Sequence, residues 1–564
     1  MRRFAVVLAL AACSLCLPAL AQTNPAAAPS AEDPTFDILE FEVEGNTRLS
    51  PAVVERSLRP HMGPGRRLAD AESARGALEQ AYQKAGFLTV LVDLPEQRVD
   101  EGLLRLVVIE GRVGRLRVTG SRYFSQGVIR ERVTELAEGN VPNFNVVQQQ
   151  LAVLNRGPAR QVQPVLRPGI APGTVEAELK VSDRLPLSGT VELNNRNAAD
   201  TEPLRLVASL RWDNLLQRDH ALALTAITAP QANEQSTVLV ANYTAPRETG
   251  SVNSQASWLG TLLWSDSTLE PLGATTVLGR GTSVGLRHAQ TWFTGNSSHT
   301  VVLGADFKDL RERVVAGSDE LSTPLRYLPL QTSYSASWGR GDQSTTLSAT
   351  FTFGFAAVLR REIPCPGNIG PIDQFACRRL GADGNFAALR LDGRHERELF
   401  SGQLALRGAA QWAQQPLMGG EQFSLGGAGT VRGYYEGEAS GDQGLQASAE
   451  WRTPNLAPAL GSSGGTGSDG NAGSAGSAGN RLPWLAEARL FGFVDAGQAR
   501  TLQPLPGQAA RVPLLGSGLG LSLRGAAAGN SNWSAALEVA WPQKPARLNP
   551  DRDPRWHGRV GLNF

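Results

Sequence analysis

The sequence predicts an all-β transmembrane barrel of about sixteen antiparallel strands, preceded by two small α+β domains. From residue 187 onward, apolar and polar residues alternate in segments near the ten or so residues that a tilted membrane strand needs. All eleven Trp residues lie between Trp212 and Trp556, as expected where protein crosses lipid headgroups. Beyond the N-terminal segment, no apolar run reaches the roughly eighteen residues of a membrane helix, so any membrane crossing must be a closed barrel.

The first residues are typical of a secretory signal. Arg2 and Arg3 precede an apolar stretch, which ends at an A-x-A cleavage pattern before Gln22. We expect residues 1–21 to be removed and residues 22–35, rich in Ala, Pro and Ser, to form a linker. A lipoprotein signal, with lipid on Cys13, is the alternative interpretation. Either signal takes the mature chain out of the cytoplasm.

Two copies of one α+β pattern follow the linker. Residues 36–112 read strand, helix, helix, strand, strand, and residues 113–186 repeat that order. Ser50 and Ser125 stand where the first helix of each copy should begin. Two copies of about 75 residues indicate a tandem module ahead of the barrel.

The barrel is predicted over residues 187–564 from repeated alternation rather than from any single strand. The last strand ends on Phe564, and a C-terminal aromatic residue resembles the end of outer-membrane barrels. With both barrel termini in the periplasm, connections after odd-numbered strands lie outside the cell. We expect long exterior loops near 265–281, 309–325, 358–383, 414–441 and 496–513, and short periplasmic turns at 294–297 and 339–342.

One segment breaks this parity rule. The Gly/Ser-rich stretch between about 454 and 483 would be periplasmic although it is long. Its composition is that of a flexible linker, which favours a tolerated insertion. The alternative is that the strand count is wrong by one.

Composition argues against several other classes of protein. The net charge is only +1, so no nucleic-acid partner is expected. The six His residues are dispersed without metal-ligand spacing, and no metal or cofactor is predicted. Gly281–Gly285 fits the G-x-S-x-G pattern of hydrolases, but Ser283 would start a barrel strand instead of a strand-to-helix elbow. We therefore do not expect an enzyme.

The modules and one loop resemble a known family. FEVEGNTRLS and LRVTGSRYFS, which open the two modules, resemble the POTRA domains of the two-partner-secretion transporters (haemolysin secretion/activation type) of the Omp85 superfamily. The loop GGAGTVRGYYEGEASGDQG resembles the sixth extracellular loop of that superfamily, whose motif here is Val431, Arg432, Gly433 and Tyr434. The resemblance covers nearly the whole mature chain.

The resemblance implies that this loop folds back into the barrel, where its arginine meets an acidic residue of the inner wall. Independently, alternation in LAEARLFGFVDAG turns Phe491, Phe493 and Asp495 toward the lumen. A buried guanidinium favours a bidentate carboxylate, so we pair Arg432 with Asp495. Family members often carry a plug helix and a linker, but the short Pro/Ala-rich segment before Phe36 does not suit both.

The implied function is outer-membrane translocation of a large secreted exoprotein, adhesin-like or haemolysin-like, whose unfolded periplasmic form docks on the modules. A monomeric barrel in outer-membrane lipid is expected, with its POTRA domains in the periplasm. Alternatives are an Omp85-type insertase that assembles other barrels, and a gated porin or receptor. The sequence does not identify the client.

Two cysteines remain after the signal is removed. Cys365 and Cys377 lie in a predicted exterior loop rich in Pro and Gly, within an oxidising compartment. A disulfide is favoured over two free thiols. Such a small ring would stabilise the loop without bearing on transport.

Overall fold

The computed structural model describes residues 35–564 except 200, 248, 250, 273–274, 317–318, 366–369, 462–483 and 530. The expected signal at 1–21, with Cys13, and nearly all of the linker at 22–35 lie outside the described residues. The chain forms two compact units. The first contains residues up to Arg115 with Glu138–Asn145 and Pro168–Glu176, and the second contains Leu116–Ala137, Val146–Arg167 and Ala177–Phe564. Most of the second module therefore groups with the barrel.

The first module has two helices and five short strands. The helices are Pro51–Leu58 and Leu68–Lys84, and the strands are Phe36–Ile38, Glu40–Glu44, Gly63–Arg66, Val90–Asp93 and Leu103–Glu110. Leu103–Glu110 is the centre of a three-stranded sheet, parallel to Glu40–Glu44 and antiparallel to Val90–Asp93. The long helix buries one apolar face, including Leu78 and Tyr82, in the core of this module. The strand Gly63–Arg66 was not predicted from the sequence.

The second module repeats the predicted element order. Its helices are Gln126–Arg132 and Phe144–Leu154, and its strands are Arg112–Thr119, Arg160–Pro168 and Thr174–Asp183. Thr174–Asp183 is the central strand of the sheet. Ser125 is the N-cap of the first helix, as predicted, and its hydroxyl accepts from the N–H of Val128. In the first module Ser50 is also the N-cap residue, but its side chain makes no capping bond.

The barrel strands, numbered 1 to 16 along the chain, are Leu187–Asn194, Arg205–Leu215, His220–Thr228, Ser236–Arg247, Ser254–Leu272, Thr275–Thr294, Ser297–Ala316, Asp319–Tyr327 with Leu330–Arg340, Gln343–Phe353, Ala387–Leu399, Gly402–Ala413, Gln443–Arg452, Glu487–Arg500, Arg511–Ala526, Asn532–Pro542 and Arg555–Asn563. Among the described residues these strands form one closed antiparallel barrel.

The count of sixteen is confirmed, although strand 8 is interrupted. Its two segments, Asp319–Tyr327 and Leu330–Arg340, both pair with strand 7, so they occupy one position in the barrel. Pro329 lies at the interruption, where it has no N–H to donate to a neighbouring strand. Closure joins strand 16 to strand 1, and Phe564 exchanges two backbone hydrogen bonds with Gly189, of 2.9 and 3.0 Å.

Two of the five predictions of long exterior loops are wrong. Residues 265–281 and 309–325 mostly extend the strands of two long hairpins, whose described strands end at Leu272 and Ala316 and resume at Thr275 and Asp319. Pairing between strands 5 and 6 continues through the first of these segments, with a register shift between Ser267 and Glu270 that places Glu270 opposite Val277. The other three predicted loops correspond to the connections 354–386, 414–442 and 501–510. The connection 453–486, with the Gly/Ser-rich segment, follows strand 12, and residues 462–483 of it lie outside the described residues.

The alternation separates the two faces of the wall as predicted. On strand 13, Leu490 and Val494 are exposed on the outer face, whereas Phe493 and Asp495 are buried within the barrel. Among the described residues, six exposed Trp side chains lie within three residues of an end of their own strand, in keeping with aromatic belts: Trp212, Trp292, Trp338, Trp412, Trp541 and Trp556. Within the described ranges, none of the helices has the length and apolar character to cross a membrane.

Candidate functional site: the inward loop and its clamp

Residues 414–442, which we call the inward loop, connect strands 11 and 12. A short hairpin, Phe423–Leu425 paired with Ala439–Gly441, forms its base. The tip carries the motif from Val431 to Tyr434, and all four residues are buried. At Gly433 the backbone has φ +96°, and a Cβ there would lie 3.1 Å from the nitrogen of Pro542. Both the backbone angle and the close approach favour glycine at this position.

Arg432 of the tip contacts the inner wall of strand 13. Its Nε lies 2.7 Å from Oδ2 of Asp495 and its Nη2 lies 2.9 Å from Oδ1, which is a bidentate geometry. The backbone N–H of Arg432 donates to the same carboxylate at 3.1 Å, and Ser448 adds a hydroxyl bond of 2.6 Å. Asp495 is fully buried, so the structure brings together the two residues that the sequence paired.

The structure adds two carboxylates that sequence reasoning missed. Nη1 of Arg432 lies 2.6 Å from Glu450 on strand 12 and 3.3 Å from Glu538 on strand 15. Arg452 pairs with Glu450 at 2.7 Å. Alternation along strand 12 had already turned Glu450 away from lipid, but only closure of the barrel brings strands 12, 13 and 15 around one guanidinium. We call Arg432 with these three carboxylates the Arg432 clamp.

The aromatic side chains beside Asp495 form the floor of the clamp. The guanidinium carbon of Arg432 lies 3.3 Å from the ring centre of Phe493, a cation–π contact. The ring of Phe491 lies 6.3 Å from that of Phe493. On strand 14, Gly518 and Gly520 leave space for these rings, because a Cβ at either position would lie within 2.4 Å of one of them.

The other motif residues hold the tip in place. Val431 packs with Leu425 and Leu514 in a buried cluster. The hydroxyl oxygen of Tyr434 lies 3.0 Å from the carbonyl oxygen of Leu515 and 2.9 Å from that of Lys544. The tip therefore bonds to the exterior ends of strands 14 and 15 as well as to the inner wall.

Other residues considered from the sequence lie away from the clamp. Cys365 and Cys377 form a disulfide in the connection 354–386. Ser283 lies inside strand 6, opposite Lys308, and not at a strand-to-helix elbow. No group of three or more His, Cys, Asp or Glu side chains that could hold a metal ion occurs among the residues that the structure describes.

A second polar contact, which the sequence did not predict, joins the second module to the barrel. Asp219 belongs to the turn 216–219 between strands 2 and 3, and its backbone has φ +58°. Its carboxylate pairs with Arg132 and, at 3.2 Å, with Arg160 of the second module. Gln217 of the same turn accepts the N–H of Ser125 at 2.9 Å. These bonds attach the module to the periplasmic end of the barrel.

Comparison with known proteins gives two family matches. The model of the POTRA domain, ShlB-type, matches residues 36–111. The model of the haemolysin secretion/activation protein ShlB/FhaC/HecB matches residues 384–475, which include the inward loop. The outer membrane transporter CdiB of Escherichia coli O6:K15:H31 (strain 536) is 25% identical over 455 residues, covering 78% of this chain and 73% of that protein.

Two solved structures share the fold. CdiB from Escherichia coli aligns with a TM-score of 0.56 at 19% identity, covering 96% of this chain and 93% of that one. BamA from Haemophilus ducreyi lacking POTRA domains 1–3 aligns with a TM-score of 0.52 at 16% identity, covering 94% and 100%. A POTRA region, a sixteen-stranded barrel and an inward loop together define an outer-membrane protein of the Omp85 type. By the two family matches and the CdiB relative, the chain is an outer-membrane transporter similar to those of two-partner secretion, and its POTRA domains lie in the periplasm.

Proposed function

We propose that this transporter exports one large exoprotein, of the adhesin or haemolysin kind, which it receives unfolded in the periplasm. The observation that carries the proposal is the buried Arg432 clamp, in a chain whose first module is of the ShlB type. The clamp fixes a loop within the barrel that the exported chain must pass. A loop held in this way can control the passage of the exported chain through the barrel.

The two modules supply the docking surface in this proposal. Each contains a three-stranded sheet, with Glu40–Glu44 and Val90–Asp93 at the edges of the first. In the second, Arg112–Thr119 and Arg160–Pro168 occupy the edges. Edge strands offer backbone groups to which an unfolded, strand-forming client can add a strand. Asp219 and Gln217 then hold the second module at the periplasmic end of the barrel, where the client enters.

Secretion by a reconstituted pair tests the proposal. The transporter is expressed with the exoprotein encoded next to it, and exoprotein outside the cell is measured by immunoblot. We expect secretion with the wild type and strongly reduced secretion with Arg432→Ala. Arg394→Ala is the matched control, because Arg394 pairs with Glu396 on its own strand.

The same cells distinguish the alternative of an insertase. If depletion of this chain lowers the amount of folded resident barrel proteins while exoprotein secretion continues, the chain assembles barrels and the proposal is wrong. If secretion stops while the resident barrels stay normal, export of the exoprotein is supported. A gated porin would leave both measurements unchanged.

A further inference from the structure

A second buried ion pair holds the inward loop at the exterior side of the barrel. Asp442, where the loop joins strand 12, is fully buried. Arg379, from the exterior connection 354–386, approaches it with Nη1 2.5 Å from Oδ1 and Nη2 2.7 Å from Oδ2. This is another bidentate pair, and it shares no residue with the Arg432 clamp.

The pair also binds the backbone of two further segments. The Asp442 carboxylate accepts the N–H of Leu417 at 2.8 Å and that of Leu502 at 2.7 Å. Arg379 donates to the carbonyl oxygens of the same two residues, at 3.3 Å for Leu502. Leu417 lies at the start of the inward loop and Leu502 lies in the connection 501–510. One ion pair thus joins three exterior loops, and we call it the exterior lock.

The segment that carries Arg379 is itself held firmly. It follows the short helix Gln374–Arg378, where the fully buried Gln374 exchanges hydrogen bonds of 2.9 and 2.8 Å with the backbone of Arg326. The ring of Phe375 packs on Tyr327 with centroids 5.9 Å apart. The disulfide from Cys377 closes this segment into a ring. Arg379 is therefore presented to Asp442 from a fixed position.

Other contacts carry the inward loop across the exterior mouth. Glu421, near its start, bonds Lys308 at 2.5 Å on strand 7. Toward its end, Glu436 donates its N–H to Asn197 at 3.2 Å, in the connection after strand 1. Glu438 accepts the N–H of Leu548 at 2.8 Å, in the connection after strand 15. The loop is attached to widely separated parts of the rim, so its position decides how open the mouth is.

We propose that Arg379 and Asp442 are positioning residues that keep the exterior mouth closed at rest, separately from the Arg432 clamp. With the lock broken, the three joined loops separate while the tip stays on Asp495. This inference rests on the proposed transport function only in explaining why a closed mouth would be useful. The test of the lock uses no exoprotein, so its outcome does not depend on whether the chain secretes one.

The test compares Asp442→Asn with the wild type in planar bilayers and in cells exposed to vancomycin. The amide keeps the shape of the carboxylate but removes the charge that Arg379 pairs with. Loss of one partner from a fully buried pair shifts an equilibrium by more than about 100-fold. The shift between closed and open loops should be smaller here, because Arg379 keeps 19% of its side chain exposed. We expect the ratio of open to closed channels to rise about 10-fold to 100-fold, with greater sensitivity to vancomycin.

Asp213→Asn is the matched control, since Asp213 pairs with Arg211 on its own strand and should change neither readout. Retained heat-modifiability on gels shows that each variant is a folded barrel. If Asp442→Asn does not fold, Arg379→Gln provides the same comparison from the partner with the greater exposure. Folded variants of both residues with wild-type conductance and vancomycin resistance would overturn the proposal.

Discussion

Replacing Arg432 by alanine removes the guanidinium that contacts Asp495, Glu450 and Glu538. After the change, Asp495 keeps the hydroxyl bond from Ser448, and Glu450 keeps Arg452. The contact of Glu538 with a cation is lost, and three carboxylates face one another in a buried site. Breaking a buried pair in this way costs about 3–5 kcal/mol, less where lumen water screens the charges. The population with the tip seated on the wall should fall by about 100-fold.

Asp495→Ala should be milder, because the remaining guanidinium is not left without a partner. Arg432 still lies 2.6 Å from Glu450 and 3.3 Å from Glu538. The loss is then that of hydrogen bonds to a charged group, about 1.5–3 kcal/mol, which lowers the seated population by about tenfold or more. In the double variant one of the three carboxylates is also gone, so it should be no worse than Arg432→Ala.

Secreted exoprotein is measured for both single variants, the double variant and the Arg394→Ala control, at matched amounts of folded barrel. The expected order of secretion is wild type and control first, then Asp495→Ala, then Arg432→Ala together with the double variant. Strictly additive defects would show that Arg432 and Asp495 act independently. Asp495→Ala with normal secretion, or with a defect as large as that of Arg432→Ala, would refute the sharing of one cation by three carboxylates.

Three further predictions concern the modules and the disulfide. A chain lacking residues 36–186 should insert into the outer membrane but not secrete, and normal export by it would exclude a docking role for the modules. Cys365→Ser combined with Cys377→Ser should leave secretion near normal and raise vancomycin sensitivity less than Asp442→Asn does, because Gln374 is also held by backbone contacts. In the second module, burial opposes ionisation of Asp183, but N–H bonds from Tyr123 and Arg122 outweigh it and lower the pKa of this carboxyl. Its contribution to stability is therefore present above the unfolded pKa and is lost as pH falls through the folded pKa. Asp183→Asn in the full chain should therefore make stability fall less steeply as the solution becomes acidic.

The sequence by itself determined the architecture of the molecule. Alternation over strand-length segments predicted the barrel and its count of sixteen, because one lipid face and one polar face require a period of two. Repetition of the helix and strand patterns predicted the two modules. Alternation within one strand was also enough to predict that Asp495 faces the lumen. The motif around Arg432 indicated which residue would pair with it.

Only the tertiary structure decided which residues meet across the barrel. Glu450 and Glu538 reach Arg432 because closure brings strands 12, 13 and 15 around one point, and no local pattern encodes that distance. The lock between Arg379 and Asp442 joins loops 63 residues apart in the sequence. The segments 265–281 and 309–325, which we predicted as loops, are mostly strands for a related reason: each pairs with a long neighbouring strand, and no local pattern encodes that pairing. Periodicity shows which way a side chain faces, and its partner depends on the path of the whole chain.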